Sequence, residues 1–180
     1  MQESPNSSSP RVVARAPRAV IGIVLQALAM ALVWGWGVRG PRSIAVMRGS
    51  TMADRLVTIA AIVILLGAFY LIITAMQHLG RHWAIEARTI EHHELVRTGP
   101  YRIVRHPIYL GIGGFMIAIG LLLAPLPVLI AACVIYVLGT NVRIRAEDAL
   151  MAATFGAAFE EYRRRVPALI PRFRQDVGGG

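Results

Sequence analysis

The chain has 180 residues, 19 of them basic and 10 acidic, for a formal net charge of +9, and its mean hydropathy is +0.56. Length allows one domain, and the positive hydropathy excludes the ordinary soluble class and makes a membrane protein the first hypothesis. Every basic residue is arginine, falling between apolar segments rather than on an aromatic-interleaved basic surface, so nucleic-acid binding is disfavoured.

Residues 1–18 read as a disordered basic tail, polar, Pro- and Ser-rich, ending in Arg11, Arg15 and Arg18. The apolar segment 19–38 that follows ends in WGWGVRGPR, an aromatic and arginine boundary, so it is expected to be a retained transmembrane helix and not a cleaved signal peptide. Further apolar segments cover 56–76, 107–124 and 126–142, each close to the roughly 17 to 25 residues that a bilayer demands. Pro125 and Pro127 separate the last two and predict a tight antiparallel hairpin. The expected fold is therefore all-α and membrane-integral, with about four transmembrane helices. Residues 19–76 form an N-terminal helix pair, 77–174 form a core of loop, hairpin and C-terminal helix, and 175–180 form a disordered tail.

Arginines number 3 before the first segment, 5 in 77–106 and 7 after Val142, against 4 from Arg39 to Arg55, a ratio of 15 to 4. The positive-inside rule then puts both termini and the 77–106 loop in the cytoplasm. All-arginine usage suggests a GC-rich bacterial genome, hence the bacterial cytoplasmic membrane. Beyond Val142, helical spacing predicts pairing of Arg143 with Glu147, Arg145 with Asp148, Glu160 with Arg164 and Glu161 with Arg165. Met151, Phe155, Phe159, Tyr162 and Val166 predict an amphipathic helix that Pro167 ends.

Polar chemistry concentrates in HHELVRTGPYRIVRHPIYLG, residues 92–111, at the mouth of the third segment. Metal binding is disfavoured: His78 and His82 stand four apart, but no HExxH pattern occurs, and His92 and His93 point apart in a loop. Cys133 is alone, which excludes an intrachain disulfide, and the motif region has no serine or cysteine nucleophile. Cationic donors, titratable histidines and glycines remain, the parts of a site for a small polar ligand. The bland readings are interfacial anchoring by Arg105 and His106, an aromatic belt of Tyr101 and Tyr109, and close helix packing at Gly111, Gly113, Gly114 and Gly120.

LGRHWAIEARTIEHHELVRTGPYRIVRHPIYLG, then a hairpin, then RIRAEDALMAATFGAAFEEYRRRVPALIP resembles the isoprenylcysteine carboxyl methyltransferase family over residues 67–171. Three elements carry the likeness in order: HxLVxxGPY, RHPxYxG, and an acidic pair followed by FGxxFxxYRxxVP. The resemblance implies S-adenosyl-L-methionine as cofactor, held by His93, Leu95, Val96, Gly99, Tyr101, Arg105, His106, Pro107, Tyr109, Glu147 and Asp148. Arg105, His106 and Arg163 are the implied catalytic residues. Relatives commonly carry two glutamates where this chain has Glu147 and Asp148, so one carboxylate is a methylene shorter. The implied reaction is methyl transfer to a lipophilic acceptor reaching the site from the bilayer, foremost the carboxylate of isoprenylcysteine or a similar isoprenoid or lipid. Alternative acceptors are a phospholipid amine or a hydrophobic thiol. A noncatalytic cofactor-binding scaffold or sensor is a different class of reading. So is a nicotinamide-dependent membrane reductase, for which no dinucleotide glycine fingerprint is found.

Overall fold

A computed structural model describes residues 12–15, 19–39, 51–80, 88–90 and 95–171. Four long apolar helices make up the body: α1 (Ala19–Arg39), α2 (Met52–Leu79), α3 (Pro107–Leu123) and α4 (Leu126–Phe155), followed by the short α5 (Ala157–Arg165). Helices α1, α2 and α4 are long and apolar enough to cross a membrane, and α3 has 17 residues. The protein is an all-α integral membrane protein. Large apolar side chains face outward along it, among them Ile62, Val63, Leu66 and Tyr70 of α2 and Ile130, Val134 and Val137 of α4. Such exposure suits hydrocarbon and would be costly in water.

Small residues let the helices approach. Ala29, Ala61, Ala75, Ala118 and Ala132 have no exposed surface, and the core gathers Ala29, Val33, Met116, Ala132 and Tyr136, with Cys133 half-buried against it. Helix α1 packs chiefly on α4, and α2 on α3. Gly113 faces the ring of Tyr136 and Gly120 faces Leu129, so α3 and α4 lie close along the hairpin. Helix α2 starts in a capping box, where Thr51 Oγ1 accepts from the Asp54 N–H at 3.1 Å and Asp54 Oδ2 accepts from the Thr51 N–H at 3.3 Å. Pro107 opens α3 at a position where its missing N–H costs nothing.

Four observations differ from the sequence expectations; in one, Glu160 pairs with Arg163 and Arg164 with Glu161, at three-residue spacing, where four-residue spacing predicts Glu160 with Arg164. Val12–Arg15, expected in a disordered tail, forms β1, which pairs antiparallel with β2 (Arg88–Ile90). Valine favours extended backbone, and the partner strand satisfies its hydrogen bonds. This ladder ties the N-terminal segment to the 77–106 loop. Helix α4 continues without a break past Val142 to Phe155, and the interruption comes at Gly156, with φ of 51°. Glycine is the residue that adopts such a backbone freely, so FG in the motif marks a corner between α4 and α5. Asp148, finally, does not pair with Arg145, which is exposed, but turns inward to Arg105 and His106.

Helix lengths position the site. Thirty residues at about 1.5 Å each make α4 about 45 Å long, well beyond a hydrocarbon core of about 30 Å. Seventeen residues make α3 only about 25 Å long, so the segment before it is drawn down to the membrane boundary beside the emerging part of α4.

Candidate active site

Arg105 and His106 lie in the turn between a 3-10 helix (Gly99–Arg102) and α3. That turn is pinned from outside the helices, because the Arg105 N–H donates to the Pro167 carbonyl at 2.8 Å and the His106 N–H to the Ala168 carbonyl at 3.0 Å. The chain after α5 thus folds back across the turn rather than leaving it. The Arg105 guanidinium donates through Nη1 to the Val166 carbonyl at 2.5 Å and to the Arg163 carbonyl at 3.2 Å, and through Nη2 to Asp148 Oδ2 at 2.7 Å. It ties α4 to the C-terminal end of α5, whose orphan carbonyls it satisfies.

His106 sits between two carboxylates, with Nε2 3.1 Å from Asp148 Oδ1 and Nδ1 3.4 Å from Glu147 Oε2. Both ring nitrogens face acceptors, and only the imidazolium carries two N–H donors. Burial alone would lower the His106 pKa, but hydrogen bonds and charge from Asp148 and Glu147 outweigh it and hold the value above the ordinary one. Glu147 also accepts from the Tyr109 hydroxyl, and from Arg143 Nη2 at 3.2 Å. The His106 and Tyr109 rings stack with centroids 5.6 Å apart, and the Arg143 guanidinium lies over the Tyr109 face at 4.7 Å. The Tyr109 carbonyl in turn accepts from the Tyr136 hydroxyl at 2.6 Å. Side chains of Arg105, His106, Arg143, Glu147 and Asp148 are each 9 to 16% exposed. Five ionisable groups at this depth persist because each has an opposite neighbour.

The structure therefore brings Arg105, His106, Pro107, Tyr109, Glu147 and Asp148 together at one end of the bundle. The shorter side chain of Asp148 still reaches both Arg105 and His106. Tyr101 is buried beside them, and its carbonyl accepts from the Tyr162 hydroxyl at 2.7 Å. Burial pushes the Tyr101 phenol up, as do the nearby Tyr162 and Glu147; burial likewise pushes Tyr162 up to about 12. Leu95 and Val96 are half-buried in the segment ahead of the 3-10 helix. Gly99 has φ of 57°, and a Cβ there would stand 2.4 Å from the His78 ring, so close approach to α2 accounts for this glycine. Arg163 reaches the site through its carbonyl alone; its side chain, 52% exposed, pairs with Glu160 at 3.5 Å. His93 lies outside the described residues. A cleft of about 390 Å³ lined by Arg97, Arg102, Glu161, Tyr162, Arg165 and Val166 adjoins this end of the bundle.

Sequence reasoning missed Gln26, Thr140 and the depth of Arg143. Gln26 Nε2 donates to Thr140 Oγ1 at 2.9 Å, and Gln26 Oε1 accepts from Arg143 Nη1 at 3.3 Å. An amide inside an apolar helix is costly without partners, so Gln26 within segment 19–38 was the available signal.

A helical membrane bundle with a buried ionic site where one helix emerges defines the class of protein. The profile of the isoprenylcysteine carboxyl methyltransferase (ICMT) family matches residues 59–153, more than half of the chain, and the chain belongs to that family. It is 36% identical over 104 residues to protein-S-isoprenylcysteine O-methyltransferase B of Arabidopsis thaliana, covering 54% of this chain and 51% of that protein. It is 33% identical over 98 residues to the nickel-cobalt-cadmium resistance protein NccN of Alcaligenes xylosoxydans xylosoxydans, covering 54% and 46%. A shorter match, 37% over 76 residues, is to methanethiol S-methyltransferase 2 of Bradyrhizobium diazoefficiens, covering 40% and 27%. The chain spans about half the length of the first two relatives.

Proposed function

We propose that the protein is an S-adenosyl-L-methionine-dependent methyltransferase acting on a lipophilic acceptor, foremost the carboxylate of isoprenylcysteine or a similar isoprenoid or lipid. The observation that carries this reading is the buried meeting of Arg105, His106 and Tyr109 with Glu147 and Asp148 in a chain of this family. The donor set fits the cofactor. Among the described residues, the buried Arg105 Nε has no hydrogen-bond partner, and the two carboxylates keep unused acceptor capacity. Glu147 and Asp148 would accept from ribose hydroxyls and the amino group, while Arg105 would hold the carboxylate through its Nε, and His106 would keep the two acids in place. His93, Leu95, Val96, Gly99, Tyr101 and Pro107 would complete the wall. When bound, the cofactor supplies an electrophilic methyl group on a cationic sulfonium, and the electron-rich face of an aromatic ring attracts such a cation by about 0.5 to 2 kcal/mol.

The residues' part is to align acceptor and donor and to exclude water. His106 has both ring nitrogens against carboxylates and a raised pKa, so it is better suited to donate than to act as a base, which favours an acceptor already ionised at neutral pH. A carboxylate is such an acceptor. Arg97, Arg102 and Arg165 of the adjoining cleft would hold it, and its hydrophobic body would arrive laterally from the bilayer. A thiol acceptor is the second reading, favoured by the 37% identity to a methanethiol S-methyltransferase. The arginine ratio of 15 to 4 supports a cytoplasmic site, and the ladder of β1 with β2 is in keeping with an N-terminal segment on the same side. The bacterial cytoplasmic membrane is the proposed location.

Binding of S-adenosylhomocysteine and NADPH to the purified protein in detergent, on wild type and Glu147→Ala, tests the reading. S-adenosylhomocysteine should bind wild type and not the variant; no binding to wild type at millimolar ligand sinks the proposal. Labelled methyl donor added to membranes, followed by separation of lipid, protein and small-molecule fractions, then identifies the acceptor.

A further inference from the structure

Helix α1 ends twenty residues before the family match begins at residue 59, yet it delivers one polar side chain into the interior of the bundle beside the site. Gln26 is 8% exposed and Thr140 is 1% exposed. Both halves of the Gln26 amide are used, the nitrogen donating to Thr140 and the oxygen accepting from Arg143. The Arg143 guanidinium is thereby held by three helices: Gln26 of α1 on Nη1, Glu147 of α4 on Nη2, and the ring of Tyr109 of α3 beneath it. Two glycines make this reach possible. A Cβ at Gly22 would stand 2.4 Å from Arg143 Cγ and 2.6 Å from the Gly139 carbonyl, and one at Gly139 would stand 2.7 Å from Leu25 Cβ. The α1 and α4 backbones touch there, one turn before the amide.

Packing alone does not call for this arrangement. An apolar side chain of similar volume fills such a position with less desolvation, and polar groups retained inside a membrane helix mark function by default. The guanidinium is a donor only and so takes the amide oxygen, while the Thr140 hydroxyl accepts from the amide nitrogen and holds the Gln26 side chain in that pose. We infer that Gln26, oriented by Thr140, is a positioning residue of the active site: it sets the Arg143 guanidinium, which aligns Glu147 and Tyr109 for the cofactor. The site is then assembled from α1 as well as from the segment that the family match covers. The inference rests on the cofactor reading above.

The test measures S-adenosylhomocysteine affinity by calorimetry on the full chain in detergent, with size-exclusion elution as the check of folding. Gln26→Leu should weaken binding about tenfold, the scale of one hydrogen bond to a charged group. Thr140→Val, nearly isosteric, should weaken it in the same direction, and Thr140→Ser, which keeps the hydroxyl, should restore wild-type affinity. A merely structural role predicts no such rescue. Adding Thr140→Val to Gln26→Leu should cause no further loss, because both act through one amide. Unchanged affinity in Gln26→Leu and Thr140→Val overturns the inference while leaving the cofactor reading intact. Absence of binding by wild type overturns both, and loss in Thr140→Ser equal to that in Thr140→Val overturns the positioning role.

Discussion

The two main helix pairs solve the same packing problem and do different things with it. Both α2–α3 and α1–α4 bring backbones close through glycine and alanine. At α2–α3 the contacts are apolar: Gly111 lies against Ile72 and Ala68, Gly114 against Ala68, and Phe69 meets Phe115 edge-on at 5.5 Å. At α1–α4 the glycines Gly22 and Gly139 stand next to Gln26, Thr140 and Arg143, which are hydrogen-bonded to one another and onward to Glu147. Without a hydrophobic drive between helices in lipid, small residues supply association in both seams. Only the second seam spends that closeness on polar side chains, so damage there should reach the ligand as well as the fold.

Asp148→Ala breaks the polar side most severely. It strips a charged partner from both Arg105 and His106, and an uncompensated buried charge costs about 3 to 5 kcal/mol. A large fall in Tm and loss of S-adenosylhomocysteine binding are expected; retention of both would remove Asp148 from the site. Paired substitutions at Gly22 and Gly111 sharpen the contrast. At Gly111 a Cβ meets Ile72 Cγ1 at 2.6 Å and the Ala68 carbonyl at 3.2 Å, so Gly111→Ala should cost about 1 to 3 kcal/mol of stability and leave the affinity of the folded protein close to wild type. At Gly22 it meets the Gly139 carbonyl and Arg143 itself, so Gly22→Ala should lower both stability and affinity. Equal ligand effects from the two would erase the distinction between the seams.

The pH dependence follows from His106. Its folded pKa is raised above the ordinary value of about 6.5, so its contribution is fully present below that value and is lost as pH rises through the folded one. Tm in detergent should therefore fall with rising pH in wild type more than in His106→Asn; parallel profiles would show that the imidazolium is not held by the carboxylates. The smallest effect on the ligand belongs to a position in neither seam. Gly156→Ala places a side chain in open space at φ of 51° and ψ of −127°, outside the left-handed helical region, so about 1 to 3 kcal/mol of backbone strain and no change in affinity are expected from chemical denaturation and calorimetry.

Much of this was legible in the chain. Apolar runs of bilayer length, prolines at 125 and 127, and arginines segregated by segment specify the bundle and its hairpin, because each is a local property of composition. The Arg143–Glu147 and Arg165–Glu161 pairs follow from four-residue spacing on a helix. The RHPxYxG and acidic-pair motifs name residues that the fold brings into one cluster. Tertiary structure alone decided which way Asp148 turns, since Arg145 is its neighbour in sequence but Arg105, 43 residues away, is its partner in space. It alone decided that Gln26, 117 residues from Arg143, accepts a hydrogen bond from it. Helical spacing ranks neighbours along one cylinder, whereas a buried charge takes whatever partner the packed helices deliver, and that delivery depends on how closely glycine lets two backbones approach.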